Sequence, residues 1–123
     1  MRRVIESKYG YQTNYGGGLL VLVPGRNLVE EETWAKAKAK SPRLRDQLAG
    51  QAVVEGNPFV DVFCADLRQK DAAGEALPDP NDLTSDEGAA VADKVEARLL
   101  ERLLPTAKRA GVRDAFRQAL GRS

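Results

Sequence analysis

The chain of 123 residues suits one ordinary domain or a small domain with an appendage, and its 42% apolar and 30% charged residues place it among folded globular chains. A net charge of +1 indicates no bulk electrostatic partner, and the longest apolar run, LLVLV at 19–23, falls far short of the roughly 20 residues a membrane-spanning helix needs. The lone cysteine, Cys64, excludes an intramolecular disulfide and a Cys-rich zinc site.

In chain order, RRVIESKY (2–9) and LLVLV (19–23) have strand character, and the Tyr/Asn/Gly cluster between them supplies turn chemistry. Pro24-Gly25 fits the central positions of a type II turn. A first helix is predicted over 30–39. Glu30, Glu31 and Glu32 crowd its start and Lys36, Lys38 and Lys40 its end, which complements the helix dipole and allows a Glu32–Lys36 pair. A second, short helix takes Ser41 as N-cap and Pro42 as its first residue, with Gly50 ending it in a left-handed conformation. Leu44 and Leu48 share one face of it and should pack under Trp34. QAVVEG (51–56) returns as a strand before Gly56-Asn57-Pro58 breaks the chain. The expectation is an α+β fold whose first 56 residues form a β-β-α-α-β unit.

Residues 57–83 read as an extended arm and acidic linker. FVDVFCADL is a strand or an extended arm, with the extended form preferred, and DAAGEALPDPNDL has linker composition. The last third, 84–123, is predicted to be a helical hairpin. Thr84-Ser85-Asp86-Glu87 matches a capping box. Val91, Val95, Leu99 and Leu103 draw one stripe at helical spacing, widened by Leu100 and Leu104; Pro105 ends that helix or restarts the next. Val112, Phe116 and Leu120 mark the second helix.

Charge is segregated along the chain: +3 over 1–56, −7 over 57–97 and +5 over 98–123. Solvated faces and internal complementarity account for such blocks. MRRVIESKYGY has basic residues but no apolar h-region, so no signal peptide is expected and the protein should stay in the cytosol of its cell.

Chemical motifs are sparse. Gly16-Gly17-Gly18 precedes a strand and has no Gly-Lys-Ser/Thr sequel, so it meets neither the phosphate-loop nor the dinucleotide-turn condition and reads as a turn or a close approach. The chain has no histidine, and no Asp/Glu pair has apolar flanks that would raise a pKa. Asp61 and Asp66 lie in the most apolar setting but read as solvated positions, and Asp79, Asp82 and Asp86 lack calcium-loop spacing. Cys64 reads as a small buried hydrophobe. No catalytic residue, metal or cofactor is expected. Arg109, Arg113 and Arg117, four apart, form a basic helix face with a capacity for phosphate contacts, so nucleic acid is a partner that is allowed but not favoured.

One stretch carries a resemblance: GGGLLVLVPGRNLVEEETWAKAKAKSPRLRDQLAGQAVVEG, with its Pro24-Gly25-x-Asn27 turn, Val29, Trp34, Lys36/Lys38 and the closing helix before Gly50 and Val53-Val54. It resembles a short module of structural-region proteins from tailed phages and Mu-like prophages, over roughly residues 16–56. The resemblance implies a non-enzymatic virion or virion-assembly protein, such as a minor head, decoration or connector component, assembled in the host cytoplasm. Its partners would be a major capsid or neighbouring virion protein and further copies of itself, with no membrane involved. Contact residues would be Leu19, Val21 and Val23 on the glycine-flanked strand and Phe59, Val60 and Phe63 on the extended arm, each pairing with a sheet edge. Leu99, Leu103, Phe116 and Leu120 would form a self-association stripe. The alternative is a small nucleic-acid-binding or regulatory protein that uses the basic C-terminal helices.

Overall fold

The structure is a computed structural model that describes residues 1–122. It is mixed α+β and divides into two compact units, Arg2–Phe59 and the chain from Val60 onward.

In the first unit, β1 (Arg2–Ser7) is the central strand of a three-stranded antiparallel sheet, between β4 (Gly25–Glu30) and β5 (Val53–Pro58). A separate hairpin joins β2 (Tyr11–Asn14) to β3 (Leu19–Leu22). The helices are α1 (Glu31–Lys40) and α2 (Pro42–Ala49). Ile5, Tyr11, Leu20, Leu22, Val29, Trp34, Ala37, Leu44 and Val53 form the core, with Leu48 packed against it. Trp34 is its largest member, and truncating a buried indole to Ala costs about 3–5 kcal/mol. Ser41 accepts the Leu44 N–H at 3.1 Å, with Pro42 at the start of α2 as the sequence requires. The Ser41 hydroxyl also meets Thr13 Oγ1 at 2.5 Å, tying the helix junction to β2. Lys36 reaches Glu32 at 3.2 Å, the pairing expected from their spacing.

Three local expectations are corrected. Gly25 has the positive φ (97°) that a Pro-Gly turn demands, but the chain then continues directly as β4, and Tyr11–Asn14 of the expected turn cluster form β2, so this unit has five strands, not three. Only Val29 of β4 is fully buried, which left no alternation to read. Gly50 is right-handed (φ −81°), and the left-handed residue is its neighbour Gln51 (φ 60°). Finally, Gly56-Asn57-Pro58 does not break the chain: these residues belong to β5, an edge strand that tolerates proline and shows a register shift between Arg3 and Ile5.

The second unit departs further from expectation. Residues 59–73 are a helix, α3 (Phe59–Ala73), not an extended arm. Phe59, Val60, Phe63, Cys64 and Leu67 are all buried, and their spacing follows a helix, whereas a strand would have placed Asp61 on the same face as Phe59 and Phe63. The acidic 57–83 stretch is therefore mostly α3, followed by a short irregular run and a 3-10 turn at Pro80–Asp82. The capping box forms as read: Thr84 N–H donates to Glu87 Oε1 at 3.0 Å, and Glu87 N–H donates to Thr84 Oγ1 at 3.3 Å.

The apolar stripe from Val91 to Leu103 is split between α4 (Ser85–Lys94) and α5 (Ala97–Leu103), so that three helices rather than two follow Thr84. Val95 is extended (φ −112°, ψ 158°), and the Glu96 carbonyl accepts the Leu99 N–H to start α5. The bend buries Val91 and Ala92 of α4 along with Leu99, Leu100 and Leu103 of α5; a straight helix would turn part of this wide stripe outward. The last helix, α6 (Ala110–Gly121), packs against α4 through reciprocal glycines. A Cβ on Gly88 would lie 3.1 Å from Val112 Cγ2, and one on Gly111 would lie 2.0 Å from Ser85 Oγ and 2.8 Å from Ser85 Cβ. Asp71 on α3, its side chain only 12% exposed, is held by Arg98 at 3.0 Å and by Arg102.

These contacts have measurable consequences. Gly111→Ala should lower stability by about 1–3 kcal/mol through overpacking, seen as a lower Tm, while Gly121→Ala, with open space around it, should not. Gln51→Gly should raise stability by about 0.5–1 kcal/mol by relieving the left-handed backbone strain. The Arg98 hydrogen bond, joined by the Arg102 hydrogen bond and both guanidinium charges, holds the Asp71 carboxyl below its ordinary range against the opposing pull of desolvation. Because the folded-state value is depressed, its stabilisation is complete above the unfolded value of about pH 4 and fades as pH falls through the folded one. Urea unfolding between neutral and acid pH should show a shallower loss for Asp71→Asn than for the unsubstituted protein.

Candidate functional site

Strand alternation decides which side chains of LLVLV are available. Leu20 and Leu22 point into the core, leaving Leu19, Val21 and Val23 outward and 53%, 53% and 55% exposed. The reversal that sets this register is Gly16-Gly17, with φ 71° and 114°, and the Tyr15 N–H donates to the Gly18 carbonyl at 3.0 Å. The Tyr15 ring lies on Gly18, where a Cβ would come within 2.3 Å of Cζ. The three glycines thus serve a turn and a close approach, in keeping with their sequence reading.

Residues 9–25 contain no Asp, Glu, Lys or Arg, in a chain that is 30% charged. Natural edge strands are usually guarded by charge, by proline or by a covering element. On β3 the guard sits at one end only. The Asn27 side chain accepts the Val23 N–H at 2.9 Å and donates to the Val23 carbonyl at 3.0 Å, taking the place of a neighbouring strand at that residue. Leu19 and Val21 have no such cover.

The other expected contact residues lie elsewhere. Phe59, Val60 and Phe63 are helical and buried (6%, 3% and 3% exposed), so none offers an extended backbone to a sheet edge. Leu99, Leu103 and Phe116 are at most 1% exposed and belong to the core, and Leu120 is half-buried, so the four do not form a free self-association stripe. They match the expected apolar spacing, but spacing does not distinguish an internal seam from an external one.

The three arginines of the basic face also differ from one another. Arg109 donates to the Leu83 carbonyl at 2.9 Å and to the Asn81 carbonyl at 3.4 Å, which fixes the loop before α4. Arg113 is half-buried, and Arg117 is exposed. A row of three equivalent phosphate contacts is therefore not present.

Several titratable groups hold local structure. Burial pushes the Cys64 thiol up, away from the thiolate form that nucleophilic chemistry needs. Burial also acts to raise the Glu55 carboxyl, but hydrogen bonding from Lys38 and the pull of the Trp34 indole, with the Lys38 and Arg3 charges, leave it below its usual range. The Trp34 indole nitrogen itself has no hydrogen bond of good geometry. Asp61 pairs with Lys94 at 2.8 Å and Asp66 faces Lys70 at 3.7 Å. Asp79 accepts the Asn81 N–H at 2.9 Å, capping the 3-10 turn. An open polar cleft of about 370 Å³ lies beside the glycine turn, lined in part by Glu32, Thr33, Lys36 and Lys40. The Glu32 carboxylate paired to Lys36 inside it opposes a bound anion. No helix among the described residues is long and apolar enough to cross a membrane.

The outward face and open edge of β3 thus form the candidate site, and the sequence had marked its three residues. It had named Asn27 only as part of the Pro24-Gly25-x-Asn27 turn; its closing role needs the β3–β4 turn geometry to be seen. No protein-family model, curated protein or solved structure matches the chain.

Proposed function

We propose that this is a non-enzymatic structural or assembly accessory protein of a tailed phage or Mu-like prophage, a minor head, decoration or connector component acting through protein–protein contacts. The observation that carries the reading is the uncharged β3 strip, with Leu19, Val21 and Val23 each more than half exposed. Exposed apolar strand residues beside an unprotected edge mark a place where another backbone joins. The strip lies inside the stretch that resembles the phage module. The partner is a major capsid or neighbouring virion protein, together with further copies of this chain, and the working location is the virion, assembled in the host cytoplasm.

The chemistry of the carboxylates supports a role without catalysis. A general acid or base is poised near neutral pH, whereas Asp71 and Glu55 are both displaced toward permanent ionisation by their cationic neighbours.

Co-sedimentation tests the reading, with capsids assembled from the major capsid protein of the phage or prophage that encodes this chain. The protein should travel with the capsids, and Val21→Lys should weaken that association by about tenfold or more while leaving the fold intact. A protein that ignores capsids at every concentration contradicts it.

A further inference from the structure

The β3 edge carries enough geometry to name one occupant and its register. Because Tyr15 and Gly18 are bonded across the turn, the alternation of an antiparallel ladder makes Thr13–Leu20 and Tyr11–Leu22 the bonded pairs of the hairpin. Asn14–Leu19 and Gln12–Val21 are then the non-bonded pairs, and the N–H and C=O groups of Leu19 and Val21 point away from β2, toward the open edge. No backbone or side-chain hydrogen bond of these two residues to other parts of the chain occurs among the described residues. The groups of Val23 would extend the same row, but the Asn27 amide holds both of them.

We infer that this edge pairs with the same edge of a second copy, β3 against β3 in antiparallel orientation, with Leu19 opposite Val21 of the partner and Leu20 opposite Leu20 at the two-fold axis. The inference rests on the reading of β3 as a contact surface and names what covers it. Three observations select it. The edge is apolar and uncharged throughout, so a like edge meets it with no buried unpaired charge, which a charged partner strand would bring. Both exposed groups on each chain find partners, giving four backbone hydrogen bonds across the axis. The competing register, centred on Val21, would need the Val23 groups that Asn27 already occupies.

The result is a continuous four-stranded sheet, β2-β3-β3-β2, whose outer face sets Leu19 beside Val21 of the other copy on both sides of the axis. The β2 edge is a poorer candidate because Gln12 and Asn14 flank it with polar side chains. The paired segment is short and its interface falls below the roughly 1,200 Å² of stable complexes, so pairing is weak in dilute solution and fills where copies are held close together.

Two measurements on the full chain test this. Sedimentation velocity over about a hundredfold concentration range should show reversible dimers, weakened about tenfold or more by Val21→Lys. In an equal mixture of isotope-labelled and unlabelled protein, filtered nuclear Overhauser spectra should show a contact between the Leu20 Hα protons of two copies. A Leu20–Leu22 contact would mean the Val21-centred register and overturn the assignment, as would dimers indifferent to Val21→Lys. A protein that stays monomeric at all concentrations also overturns it. If that monomer still joins capsids in a Val21-dependent way, the contact-surface reading survives and only the self-pairing is lost; if it does not, both fail.

Discussion

The run LLVLV sets the constraint from which the rest of this protein follows. A strand has two faces, and one face of the β2–β3 hairpin gives Tyr11, Leu20 and Leu22 to the core around Trp34. Burying Leu20 and Leu22 there obliges Leu19, Val21 and Val23 to face outward, however apolar they are. No shift of register escapes this, since a slip by one residue would expose the other set. The fold therefore carries an apolar surface that its own first unit does not cover, next to an edge with two residues' backbone groups unused.

Elsewhere the chain deals with apolar length differently. The stripe from Val91 to Leu103 is as apolar as the hairpin strand, but the bend at Val95 and the close approach of α4 and α6 through Gly88 and Gly111 turn it into core. Charged residues follow the same division of labour. Asp71, Asp61 and Glu55 take Arg or Lys partners between elements of their own unit, and Asp79 and Glu87 cap helical turns. Such arrangements consume these carboxylates in holding shape.

Local chemistry with a fixed spacing was legible in the sequence: the Ser41-Pro42 helix start, the Thr84 capping box and the Glu32–Lys36 pair all depend on neighbours within four residues. So was the division of β3 into two alternating sets, which is a local property; which set faces outward depends on the core beneath. The helix at 59–73 was not, since the short, nearly continuous apolar run FVDVFC fits a strand as readily as a helix, and only Leu67 extends the pattern far enough to favour the helix. The break at Val95 had no glycine or proline to announce it. Burial of Leu99, Leu103 and Phe116 depends on which helices meet, which spacing alone leaves open. The Asn27 amide at the end of β3 required the path of the turn, and it is what limits the open edge to Leu19 and Val21.

The central claim is that two backbone positions on β3 are uncovered in a single copy of the chain. Residue-resolved amide hydrogen exchange in dilute solution tests it most directly. Leu20 and Leu22 should be protected by their bonds to β2, while Leu19 and Val21 exchange at nearly the rate of an open strand and slow only as the protein is concentrated. Strong protection of Leu19 and Val21 at the lowest concentration would show the edge already closed within one chain and contradict the account.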